Sequence, residues 1–211
     1  MTPLHGPFLS DGPADAPLTV LLAHGAGAGM DHPFMTAIAH GLAARGWHVL
    51  RFEFPYMQKR RATGKKRGPD TPARLEACLR SAAAQVPVER LVLAGKSMGG
   101  RVSSMLADEL GARGLVCLGY PFHPPGRPDK LRTAHLLELR TPALIVQGER
   151  DPFGTREQVP GYGLPPGIEV EWIPDGEHSL KPRKRSGHTL EGNLAEALER
   201  TDGFLRERLA D

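Results

Sequence analysis

The sequence predicts an α/β fold, a mostly parallel sheet of about six short strands with helices on both faces. Three observations predict it. Short apolar runs alternate with amphipathic stretches of helical period along the chain. Glycine or proline closes most of the apolar runs. The runs are nearly continuous in Val, Ile, Leu and Ala, as strands buried on both faces must be. With 211 residues, 40% of them hydrophobic and 24% charged, the chain is expected to form one domain over 1–211. Its core needs no disulfide or metal to be stable.

The elements follow in order. Residues 18–23 are the first expected strand, running into His24-Gly25-Ala26-Gly27-Ala28-Gly29. Phe34, Ile38 and Leu42 recur at helical spacing, with Gly46 as terminator. Residues 47–54 form the next strand, closed by Pro55, and a loop dense in basic residues follows. Thr71 and Pro72 open a helix whose apolar face is Leu75, Cys78, Leu79 and Ala82. After a strand at 90–94, Val102, Met105, Leu106 and Leu110 form the buried stripe of a helix ending at Gly111. Further strands are expected at 114–119, 143–148 and 168–173. Leu190, Leu194, Leu198, Thr201, Leu205 and Leu209 mark a C-terminal helix, which Gly203 weakens by about 1 kcal/mol relative to alanine.

Composition excludes several classes. A formal charge of +3 makes no case for nucleic acid as a partner. The N-terminus has no basic head leading into an apolar stretch, and no apolar run approaches the roughly 18 residues of a membrane span. Two cysteines, Cys78 and Cys117, fall in a helix and a strand without metal-ligand spacing, which points to core thiols and a reducing, cytoplasmic setting.

The chemistry is carried by Gly95-Lys96-Ser97-Met98-Gly99, a G-x-S-x-G elbow between a strand and a helix. A serine there sits on a sharp turn beyond the strand end, and glycines two residues to either side remove the β-carbons that would collide. Its oxygen stands at the positive end of the helix. Two later strand ends carry the remaining parts. Asp151 follows 143–148, and His178 follows 168–173. The order Ser97, Asp151, His178 is that of an α/β-hydrolase triad. The imidazole takes the serine proton, and the carboxylate fixes the tautomer. Asp151-Pro152 could instead start a turn, and His178 is one of nine histidines. Asp175 lies too near His178 along the chain to be its partner, His123 and His188 lack as clear a strand-end setting, and His24 shapes the glycine loop.

Four blocks together resemble the small dienelactone-hydrolase-like α/β-hydrolases. They are His24-Gly25-Ala26-Gly27, Gly95-Lys96-Ser97-Met98-Gly99-Gly100-Arg101, Gln147-Gly148-Glu149-Arg150-Asp151-Pro152-Phe153-Gly154 and Asp175-Gly176-Glu177-His178-Ser179. More narrowly they resemble a group of predicted hydrolases that includes a hydrolase-like domain of a chromatin-complex subunit. The resemblance spans residues 18 to 209. It implies a minimal α/β-hydrolase fold lacking the first two strands of larger relatives. Dienelactone hydrolases proper use cysteine as nucleophile, so Ser97 argues against dienelactone as substrate.

These parts imply a serine hydrolase acting on a small or exposed ester or thioester. Its oxyanion donors are expected to be the backbone N–H groups of Met98 and Ala26. No cofactor or metal is called for. A dinucleotide cradle would need a third glycine where Met30 stands, and its acidic residue could only be Glu53. Residues 120–142 leave room for a loop and a short helical turn, not a large cap, so a shallow site is expected, with Phe122 and His123 as candidates either to line it or to pack in the core. Lys96 occupies the variable place in the elbow, where a mere surface residue would serve. Basic runs at 59–67 and 181–185 leave the strand edge that carries Ser97 and are candidates to attract an anionic ligand. The alternative reading is a weak or inactive hydrolase fold that binds an anionic partner through those runs.

Overall fold

A computed structural model describes residues 4–209. Its described residues form one seven-stranded sheet: β1 (Leu9–Asp11), β2 (Thr19–Ala23), β3 (His48–Phe52), β4 (Leu91–Lys96), β5 (Gly114–Leu118), β6 (Ala143–Gly148) and β7 (Ile168–Ile173). The spatial order is β1-β3-β2-β4-β5-β6-β7. All pairings are parallel except β1 with β3, where Leu9 faces Arg51. The expected six strands thus become seven. β1 is too short to show a period, and a buried arginine holds it: Arg51 donates to the Asp11 carboxylate at 2.8 and 3.1 Å.

Side chains alternate across the central strands and divide the core in two. Leu21, Ala23, Leu91, Leu93, Leu115, Cys117 and Ile145 face α3 (Pro72–Ala83) and α4 (Met98–Leu106). Val20, Leu22, Val92, Ala94, Val116, Leu118 and Val146 face α1 (Pro33–Ala43) and α5 (Leu190–Leu209). This burial on both faces explains the continuous apolar runs.

The basic stretch after β3 corrects another expectation. Residues Pro55–Thr63 form a helix, α2, rather than a loop. Pro55 supplies the preset first turn, and Gly64, at a φ of 66°, ends it while its N–H bonds Arg60 at 2.8 Å. Only Pro55, Tyr56 and Met57 are buried in it, too few to print a helical period on the sequence. Arg61 spans Glu53 at 2.6 Å and Asp31 at 2.9 Å, so Glu53 serves an ion pair that pins α2 to the loop after β2. Residues 120–142 hold only one short 3-10 turn, Ala134–Glu138, and no cap covers the sheet edge. No described helix is long and apolar enough to cross a membrane. Cys78 and Cys117 are free and buried.

Candidate active site

Ser97 stands between β4 and α4 with φ 52° and ψ −115°, a sparsely populated conformation for a residue with a side chain. The crowding behind it is severe. A β-carbon on Gly99 would lie 2.5 Å from the carbonyl oxygen of Ala23 and 2.6 Å from that of His24, and one on Gly95 would strike the backbone of Gly99 and Gly100. Gly99 lets α4 start against the end of β2, and Gly95 lets the chain fold back tightly from β4 into α4.

Parallel strands deliver the other groups to the same edge. Asp151 lies just past β6, fully buried, and His178 lies on the loop after β7 with its side chain 17% exposed. His178 Nε2 is 2.7 Å from Ser97 Oγ, and His178 Nδ1 is 2.7 Å from Asp151 Oδ2. The carboxylate can only accept, so Nδ1 carries the proton and Nε2 is left to accept from the hydroxyl. Asp151 is held on its other side as well. Its Oδ1 accepts from Phe153 N–H at 2.9 Å, and its Oδ2 accepts from Gln147 at 3.0 Å. The Phe153 ring lies 4.2 Å from the imidazole, centroid to centroid, and covers it.

The loop bearing His178 is itself braced. Asp175, at positive φ, takes two hydrogen bonds from Arg183, which hold its carboxyl down to about 2, and Arg150 adds a third contact at 2.9 Å. Asp175 therefore shapes the loop and does not partner His178. The glycine loop after β2 is fixed from within. His24, fully buried, accepts from Phe54 N–H through Nε2 and so donates through Nδ1 to the Gly25 oxygen at 2.7 Å. Burial keeps that imidazole neutral by lowering its pKa. Tyr56 Oη reaches the carbonyl oxygens of Gly25 and Ala26, at 3.2 and 3.0 Å.

Ser97, His178, Ala26, Phe34, Met35, Lys96 and Phe153 are among the residues around a cleft of about 480 Å³. A hollow of about 600 Å³ between β7 and α5 is lined by Glu169, Glu171, Glu196 and Glu199 and includes none of Ser97, Asp151 and His178. Met98, the first residue of α4, has an N–H with no acceptor inside the helix.

Two expectations need correction. Phe122 and His123 do not line the cleft. Phe122 is wholly buried, packed between Tyr120 and Tyr162, and His123 is tied to Pro124 and Gln158, because the loop after β5 folds inward behind Phe153. Lys96 is not on the surface. It is 8% exposed, and its Nζ donates to the main-chain oxygen of His178 at 2.6 Å. Gln147 was not singled out from the sequence, although a glutamine inside the apolar run of β6 is a signal of a buried polar task.

A family model described as an alpha/beta hydrolase domain matches residues 16–206. The chain belongs to the α/β-hydrolase family. Solved structures agree with this hydrolase fold. An alpha-beta serine hydrolase homologue from Coxiella burnetii superposes with a TM-score of 0.70 at 22% identity, over 94% of this chain and 90% of that one. An α/β serine hydrolase without lid from Xanthomonas campestris gives 0.66 at 25% identity, over 95% and 91%. A dienelactone hydrolase from Anabaena variabilis gives 0.68 at 18% identity, over 96% and 91%.

Proposed function

We propose that this α/β-hydrolase cleaves a small or exposed ester or thioester through an acyl-enzyme on Ser97. The observation that carries the reading is the unbroken relay Ser97–His178–Asp151, with 2.7 Å at each contact. Ser97 Oγ attacks the acyl carbon as its proton passes to His178 Nε2, and Asp151 stabilises the imidazolium. The leaving alcohol or thiol departs with that proton. Water, deprotonated by His178, then releases the acid and restores Ser97.

The developing oxyanion is assigned to the N–H groups of Met98 and Ala26. Support for Ala26 comes from the planar trans peptide. Tyr56 and His24 draw the Gly25 oxygen inward, so the Ala26 N–H on the same peptide points the opposite way, on the side of the cleft. The apolar walls Phe34, Met35 and Phe153 suit a small acyl group.

The basic runs support a preference for anionic substrates. Lys59, Lys65, Lys66 and Arg67 are exposed in the stretch after β3, and Lys181, Lys184 and Arg185 in the stretch after β7. Arg60 bonds the Gly27 oxygen at 3.0 Å and so ties the first group to the oxyanion loop. The unpaired, buried cysteines suit a reducing cytoplasm.

Reaction with a fluorophosphonate probe tests the reading. A mass increase on Ser97, absent in Ser97→Ala and strongly slowed in His178→Ala, is expected. A folded protein whose Ser97 stays inert would overturn it in favour of a binding protein that keeps the fold.

A further inference from the structure

The elbow motif leaves the residue before its serine unspecified, and here that residue is a lysine in an unusual place. Lysine is almost never fully buried unless paired. Lys96 nevertheless ends β4 at 8% exposure, and its ammonium donates to the main-chain oxygen of His178 rather than to a carboxylate. The Phe34 ring centroid lies 5.6 Å from Nζ on another side. Beneath the contact is Gly119, at a φ of 69° just past β5, where a β-carbon would fall 2.9 Å from both Lys96 Nζ and the His178 oxygen, and 3.3 Å from His178 Nδ1. The absent side chain is what leaves a slot for the ammonium to reach His178.

We infer that Lys96 is a positioning residue for His178, its ammonium running over Gly119 to clamp the histidine's carbonyl so that the imidazole stands between Ser97 and Asp151. The inference rests on the proposed roles of those three residues. Arg150 and Arg183 brace the loop bearing His178 at Asp175, and the clamp acts at His178 itself. His178 hangs from β7 at the edge of the sheet, three strands from β4, on a loop with Asp175 and Leu180 both at positive φ. Lys96 and Ser97 are consecutive, so the clamp references the base to the same strand end that sets the nucleophile. A charge-assisted hydrogen bond is about twice as strong as a neutral one. Displacing a reacting group by about 1 Å costs about a hundredfold in rate.

Lys96→Met, Lys96→Gln and Gly119→Ala test the clamp, with kcat and KM for a model ester and the low-field NMR signal of the proton between His178 Nδ1 and Asp151. Lys96→Met is expected to lower kcat about a hundredfold while KM moves less than about twofold, since the clamp acts on geometry rather than on substrate contact. The low-field signal should broaden or vanish. Lys96→Gln, whose amide still donates, should recover much of both. Gly119→Ala should reproduce the loss with the lysine intact. A folded Lys96→Met protein with near wild-type kcat and an unchanged signal overturns the clamp. If Lys96→Met does not fold, an unchanged signal and near wild-type kcat in folded Gly119→Ala overturn it equally. The NMR signal does not need turnover. A wild type inert to fluorophosphonate, with a signal that still depends on Lys96, would sink the hydrolase reading and leave the clamp standing.

Discussion

Gln147 Nε2 lies 3.0 Å from Asp151 Oδ2, so a fully buried amide on β6 holds the carboxylate that faces His178. The same amide reaches the Gly154 and Tyr120 oxygens at 3.1 and 3.2 Å, and its own oxygen accepts from Tyr120 N–H at 2.7 Å. One side chain thus joins Asp151, the turn after it and the strand end of β5.

Replacing Gln147 with leucine should unpair several of these groups at once. Each buried polar group left unsatisfied costs about 1–3 kcal/mol. The expected result is a lower urea midpoint together with slower ester hydrolysis. Gln147→Glu keeps the acceptor toward Tyr120 but sets a carboxylate against Asp151, and it should lose activity at neutral pH more than Gln147→Leu loses relative to its stability.

Gly99→Val should damage folding far more than Ser97→Ala does. The β-carbon meets two backbone oxygens at 2.5 and 2.6 Å, and neither can swing aside as a side chain would. A loss of at least about 3 kcal/mol is expected in chemical denaturation. An unchanged midpoint would contradict the close approach of α4 to β2.

Lys96 should leave a signature in stability against pH. Burial pushes its ammonium down to about 8 from the ordinary 10.5, against the attraction of Asp151 and Glu177. Between those values the unfolded chain holds a proton that the native state has released, so raising the pH favours the native state. The cost of the desolvated charge is borne in full below about 8 and is relieved as pH rises toward 10.5. A window of that width corresponds to about 3 kcal/mol. Urea unfolding of wild type and Lys96→Met at pH 7 and pH 10 checks it. The wild type should improve relative to the variant at the higher pH, because the other titrating groups are common to both.

The basic rim makes a prediction about salt. The Debye length shrinks from about 10 Å at 0.1 M to about 3 Å at 1 M, so steering of an anionic substrate should fade over that range. For matched anionic and neutral esters, the anionic one should lose its advantage in kcat/KM at high salt. It should lose it equally when Lys65, Lys66 and Arg67 become alanine. Equal salt responses for the two esters would leave the rim without a role in capture. Arg61 and Arg183 are already committed to Glu53, Asp31 and Asp175, and replacing them should lower stability instead.

Features that depend on residue type at short range can be read from the chain alone. A strand buried on both faces is nearly all apolar, so β2, β4, β5 and β6 were legible as runs. The elbow needs glycine at fixed distances from Ser97, so it was legible as spacing. Parallel strands place their ends on one edge, so chain order points to Asp151 and His178, and the structure sets His178 2.7 Å from both Asp151 and Ser97. Features that depend on a partner far along the chain emerge only from the packed molecule. β1 is a strand because Arg51 and β3 meet it. Helix α2 forms around three buried residues and an ion pair from Arg61 to Glu53, not around an apolar stripe. Phe122 turned inward because the loop after β5 packs behind Phe153. Lys96 is charged and long, which locally reads as surface, and only the slot over Gly119 and the carbonyl of His178 give it a buried place. A hydrogen bond across three strands leaves no trace in local composition, because neither end of it constrains its own neighbours.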